Sequence, residues 1–264
     1  MQRDSTTELV QTFYRAALGR PADEPGLRHH VQLLKDGIRD PATMLNDMLS
    51  GPEARSLRAC PPDGVNYIGL GSHCYVAWKL KGMGVKRASY PFDWLFSNAG
   101  MVAHCLSDDF RTFLDPSFYA ASHDTNATEH MFYRSHFDVD DVFAHHDPRN
   151  EEDYAYFVRC VDRFRSLLSD RGNTVLPLVS RGNLKHPEAF ERIADCLTGS
   201  SSGARLRLVT VLEPDKGMST AGFFPIAERG SHRHVGYRPS SPLGSLGFGS
   251  PIDDAMVSAL FCEA

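Results

Sequence analysis

Cys74 is the residue of this chain best placed by its neighbours to do chemistry. It follows Val65-Asn66-Tyr67-Ile68-Gly69-Leu70-Gly71-Ser72-His73, an apolar strand-like run that ends in a Gly-Ser turn. It also opens the helical pattern Cys74-Tyr75-Val76-Ala77-Trp78-Lys79-Leu80-Lys81. A strand that hands over to a helix at small residues aims backbone N–H groups at one spot, and the positive end of the helix dipole acts there too. A thiol at such a spot tends toward a lowered pKa and acts as a nucleophile near neutral pH. The plain alternative is a small apolar residue that begins a buried helix. Gly71, Ser72 and His73 share the turn and are expected at the substrate. The backbone N–H groups after Gly71 are expected to hold an oxyanion.

Two further clusters carry reactive groups. In Tyr90-Pro91-Phe92-Asp93-Trp94-Leu95-Phe96, proline fixes the backbone and aromatics bury it. Asp93 is then in a setting that either raises its pKa or demands a hydrogen-bond partner. It is read as an orienting carboxylate or as a turn cap, with Trp94 expected beside the substrate. In Phe143-Ala144-His145-His146-Asp147, either His145 or His146 supplies a general base, and Asp147 or Asp93 orients it. His and Asp also suit divalent metals, but this spacing matches no familiar motif, so no metal ligand is assigned. The sequence holds no GxGxxG and no GxxxxGK[ST], and no cofactor is expected.

The elements that must position these groups fall into two parts. Residues 1–58 read as an all-helical domain. One helix carries Leu9, Val10, Phe13, Tyr14, Ala17 and Leu18, a second runs from Glu24 to Lys35 with a stop at Gly37, and a third starts at Asp40-Pro41. His29 and His30 are neighbours on the second helix, diverge by about 100°, and cannot pair on one metal. Pro61-Pro62-Asp63-Gly64 marks a boundary. Residues 65–264 read as α/β. The strand Val65–Leu70, a helix to Met83, a helix Met101–Leu114, loops and short strands over 115–150, a helix Glu151–Leu168, a strand Thr174–Ser180, a helix Pro187–Leu197 and a strand Arg205–Leu212 follow in order. That alternation predicts a three-layer, mostly parallel sheet, Rossmann- or SGNH-like. The Gly/Ser/Pro-rich stretch 239–251 reads as an exposed loop before a closing helix, Ile252–Phe261.

Bulk properties narrow the class. The 264 residues are 42% hydrophobic and 23% charged, as in globular proteins. A net charge of -5 without a basic cluster argues against nucleic acid as a partner. No stretch approaches the roughly 20 apolar residues of a membrane span. The polar N-terminus lacks a signal-peptide core, and six scattered cysteines without a CxxC pair suit reduced thiols. A cytoplasmic location is therefore expected.

Two resemblances sharpen the picture. Phe13 to Leu27, Leu34-Lys35-Asp36-Gly37 and Ser50-Gly51-Pro52-Glu53 resemble a small bacterial helical domain of unknown function, itself similar to phycobilisome-linker helices. That resemblance spans about residues 8–56. It implies an accessory role, with a protein partner, beside glycan-modifying or surface-polysaccharide enzymes. Gly69-Leu70-Gly71-Ser72-His73-Cys74, Pro91-Phe92-Asp93-Trp94, Asp108-Asp109-Phe110, Phe143-Ala144-His145-His146-Asp147 and the helix with Phe157-Val158-Arg159 and Arg163-Phe164-Arg165 resemble a bacterial family of papain-like cysteine peptidases. His73 stands where that family usually has Asn. The resemblance spans about residues 65–212 and implies Cys74 as nucleophile. A papain-like fold delivers its His from an antiparallel β-domain, whereas this chain alternates as a parallel sheet does. Gly69-Leu70-Gly71-Ser72 is also similar to the first block of SGNH esterases, in which Ser72 would be the nucleophile and His232 or His234 the late His.

Three functions follow as expectations. The first is a cysteine-dependent hydrolase or acyl transferase acting on a small-molecule, peptide or glycan substrate. The second is a glycan- or sugar-modifying transferase or esterase of bacterial polysaccharide metabolism. The third is a non-catalytic binding module.

Overall fold

The computed structural model describes residues 5–18, 20–51, 53, 65–123, 125–169, 173–181, 188–199, 203–213 and 222–262. The chain divides into two compact units, Met1–Asp63 with Ser240–Ala264, and Gly64–Pro239. The predicted Pro-Pro-Asp-Gly boundary lies outside the described residues.

In the first unit, α1 (Ser5–Leu18) buries Val10, Phe13, Tyr14, Ala17 and Leu18. Asp23 caps α2 (Glu24–Lys35) by accepting from Gly26 N–H, and Asp40 caps α3 (Pro41–Ser50) through Thr43 N–H. Proline opens the first turn of both, where a missing N–H costs nothing. His30 hydrogen-bonds through Nδ1 to Gly26 O at 2.8 Å and to the Tyr14 hydroxyl at 3.2 Å, so it ties α1 to α2. The closing helix, α9 (Pro251–Cys262), belongs to this unit: Ala255 and Ile252 pack with the α1 and α3 core. The expectation grouped that helix with the α/β domain. Its first turn also organises the Gly/Ser-rich stretch, since Asp253 accepts from the N–H and hydroxyl groups of Ser240 and Ser241.

The second unit is α/β. Its strands are β1 (Val65–Tyr67), β2 (Tyr119–Ala121), β3 (Thr128–His130), β4 (Asn173–Arg181), β5 (Gly203–Val211), β6 (Gly222–Arg229) and β7 (His232–Arg238). Its helices are α4 (Cys74–Gly82), α5 (Ala99–Ser107), α6 (Met131–Phe137), α7 (Glu151–Ser169) and α8 (Ala189–Gly199). The main sheet has the order β1-β4-β5-β7-β6. All neighbours are parallel except β6, which runs antiparallel to β7 at the edge. β2 and β3 form a separate antiparallel pair. Leu176, Leu178, Leu206 and Leu208 join a core with residues of α5, α7 and α8 such as Met101, Phe157, Phe164, Phe190 and Ile193.

The mostly parallel sheet agrees with the sequence reading, while the finer Rossmann expectation meets a different order. A Rossmann order places its first strand inside the sheet. Here β1 lies at an edge, because the long excursion through α4 to α7 returns to β4 directly beside it. The β6–β7 hairpin was not anticipated. Its signal is the two-residue turn Gly230-Ser231, with Gly230 at φ +58°. The helix expected over 101–114 instead ends at Ser107, and Asp109 and Phe110 follow it with positive φ.

Candidate active site

The turn that carries Cys74 is an extension of β1. Beyond Tyr67 the ladder to β4 continues through Ile68 N–H to Val175 O, Leu70 N–H to Pro177 O and Ser72 N–H to Val179 O. Pro177 has no N–H to return, so the ladder skips there and resumes with Val179 N–H to Gly71 O. Gly71 has φ +98°, and Ser97 Oγ occupies the space a Cβ would need. Glycine is required at this corner. His73 is the extended N-cap residue, and α4 begins at Cys74.

Cys74 is half-buried, and its Sγ lies 3.2 Å from Nε2 of His145, 71 residues later. His145 is exposed and comes from the segment after Phe143, whose N–H and C=O pair antiparallel with Thr128 at the end of the small sheet. A short antiparallel element thus brings a histidine to a helix-start cysteine. Residues Phe96 and Ser97 hold the two segments together. Phe96 N–H donates to Val142 O at 3.0 Å, and Ser97 N–H donates to Ser72 O at 2.8 Å.

A family model described as "Putative papain-like cysteine peptidase (DUF1796)" matches residues 65–202, just over half of the chain. The chain belongs to this family. The match spans β1 to α8 and includes both Cys74 and His145. The chain is also 40% identical over 48 residues to the uncharacterized protein R408 of Acanthamoeba polyphaga mimivirus, a match covering 18% of this chain and 22% of that protein. No solved structure matches.

Within this family member the other expected site residues have partners of their own. His146 Nδ1 is 2.7 Å from Asp153 Oδ1, and its ring stacks on Tyr156 at 4.3 Å. Asp147 accepts from Arg149 Nε at 2.9 Å, Arg149 Nη2 at 2.8 Å and Thr128 Oγ1 at 2.9 Å. The bonds from Arg149 hold its carboxyl down at about 2. Asp147 therefore fastens a loop. Among the described residues, no carboxylate hydrogen-bonds to Nδ1 of His145. Asp93 is buried against Lys86 and accepts from Tyr90 N–H at 2.6 Å. Burial pushes its carboxyl up against the pull of Lys86. It is a buried ion pair beneath Gly69, which a Cβ would bring within 3.2 Å of Asp93 Oδ1. Trp94 sits half-buried in the turn that follows.

Ser72 is not arranged as a nucleophile. Arg181 Nη2 lies 3.1 Å from His73 Nε2, and a guanidinium only donates, so Nε2 is bare and Nδ1 carries the hydrogen. That Nδ1–H points at Ser72 Oγ, 3.3 Å away, and cannot take its proton. His232 and His234 are sheet residues. His232 Nδ1 accepts from Leu206 N–H, and His234 Nε2 lies 2.9 Å from Thr210 Oγ1. β7 stands three strands from β1, roughly 14 Å across a parallel sheet.

Two expectations about Cys74 change. Burial pushes its thiol up, against the lowered pKa expected at a helix start. Ser72 N–H is committed to Val179 O, which removes it from the amides expected to hold an oxyanion. Asp153 was missed, although Asn150 to Asp153 has capping-box spacing and the Asn150 side chain accepts from Asp153 N–H at 2.8 Å. Among the described residues, no group of three or more His, Cys, Asp or Glu converges on one point as metal ligands would.

Proposed function

We propose that this protein is a cysteine-dependent hydrolase or acyl transferase with Cys74 as nucleophile and His145 as base. The observation that carries this reading is the 3.2 Å approach of Cys74 Sγ to His145 Nε2 at a helix start. Membership in the papain-like cysteine peptidase family supports it.

The resting thiol, its pKa raised by burial, keeps its proton until a carbonyl carbon approaches. His145 Nε2 then takes the proton as Sγ attacks, and a C–S bond forms. The N–H of Cys74 faces the developing oxyanion. The tetrahedral intermediate expels an amine or alcohol, which leaves with the proton from His145, and a thioester remains. Water, or an acceptor in a transferase, attacks the thioester while His145 accepts its proton. Cys74 departs as the thiol.

The test pairs labelling with turnover. Iodoacetamide should alkylate Cys74 with a rate that depends on His145, and the protein should hydrolyse activated esters. Cys74→Ala should abolish both, and His145→Ala should lower turnover about 100-fold or more. Mass spectrometry of a slow ester should show the acyl group on Cys74. Full turnover in Cys74→Ala would sink the reading. Activity that survives Cys74→Ser but not His146→Ala would favour a sugar-modifying site instead. Glycan binding by a protein inert to iodoacetamide would favour a binding module.

A further inference from the structure

Two exposed aromatic residues belong to the segments that carry and join the dyad. Trp78 follows Cys74 by four residues on α4, so both lie on one face of that helix. The helix buries Tyr75, Val76, Ala77 and Leu80, while Trp78 is 47% exposed. Helical side chains lean toward the N-terminus, which carries the indole over the turn that Cys74 begins. Phe96 is 43% exposed, and its backbone occupies the strip between the nucleophile and base segments through the bonds to Val142 and, at Ser97, to Ser72. Single exposed aromatics are ordinary. Here one lies four residues along the helix of the thiol and the other on the strip bonded to the turn before it. The carboxylates nearby are engaged: Asp93 with Lys86, Asp147 with Arg149 and Asp153 with His146. A cationic group on a substrate would find them taken.

We infer that Trp78 and Phe96 form apolar walls on either side of Cys74, and that the site selects acyl groups bearing a large apolar or aromatic side chain. This rests on the Cys74–His145 reading and adds its substrate class. Closing the two rings onto such a side chain removes apolar surface of both partners from water, and one that carries charge gains nothing there.

The experiment compares the p-nitrophenyl esters of N-acetyl-phenylalanine and N-acetyl-aspartate with the full chain. The expected result is about a tenfold or greater kcat/KM preference for the phenylalanine ester, expressed mainly in KM. Trp78→Ser and Phe96→Ser should each bring that ratio toward one, and Trp78→Phe should restore most of it. A ratio near one in the unaltered protein overturns the inference, as does a ratio that neither serine variant changes. Binding of N-acetyl-phenylalaninamide to Cys74→Ala protein, followed by its indole emission, separates the two readings. Selective binding that Phe96→Ser abolishes supports the walls even if Cys74→Ala retains turnover, an outcome that removes the nucleophile alone. Turnover that needs Cys74 but shows no side-chain preference removes the walls and leaves the nucleophile standing.

Discussion

Asp93 loses nearly all of its water, and Lys86 goes with it. A carboxylate and an ammonium taken inside together depend on each other, and breaking such a pair costs more than the pair itself contributes. Asp93→Ala should therefore destabilise the protein by about 3–5 kcal/mol, seen as a fall in the urea midpoint. The alkylation rate of folded Cys74 should stay close to its original value. A slowed alkylation with an unchanged midpoint would return Asp93 to the role of an orienting group. The sequence told that Asp93 would be buried, because aromatics and a proline surround it. It could not tell which partner would answer, since Lys86 carries no motif. In the same way, His145 and His146 are equal as neighbours in a sequence. They part only when Asp153 and Tyr156 engage one ring and Cys74 meets the other.

At the level of elements, the loop that presents His145 is fixed from the start of α7. Asp153 gathers His146 Nδ1 at 2.7 Å, Asp147 N–H at 2.8 Å and Asn150 Nδ2 at 3.0 Å. Burial alone would raise its carboxyl, but these donors outweigh that and hold it below the ordinary carboxylate value. Asp153→Ala removes every one of these acceptors and should slow alkylation of Cys74 and turnover by about tenfold or more through a misplaced His145. Asp153→Asn, which keeps an acceptor oxygen, should fall between. Unchanged rates in the alanine variant would show that the loop holds without Asp153. The strands β1, β4 and β5 and the long helix α7 were legible, because their apolar periods are strong and their ends carry turn residues. β6 and α6 were not. β6 exposes Phe223, Phe224 and Ile226 and so shows no strand alternation. α6 is only seven residues long, too short for a helical period to stand out.

For the whole molecule, acid is the telling stress. His130 and His234 are buried, and removal from water lowers both to about 4. Folded protein keeps them neutral while unfolded chain protonates near 6.5. Their stabilising contribution is therefore complete above pH 6.5 and is lost as pH falls from there toward 4, up to about 3 kcal/mol for each. The urea midpoint should drop between pH 7 and pH 4.5, and His130→Gln or His234→Gln should flatten the decline. A midpoint independent of pH over that range would contradict the assignment. The parallel α/β class was readable from alternation alone. The placement of β1 at the sheet edge was not, because strand order depends on where a long excursion returns. That return sets an order of events in synthesis. A nascent chain that has emerged through His145 already contains both members of the dyad. It still lacks β4, whose Val179 binds Gly71 and Ser72 and so fixes the corner before Cys74. The 3.2 Å approach of Cys74 to His145 is thus completed by the closing of the sheet. A chain caught before that moment carries a cysteine and a histidine, but no coupled thiol.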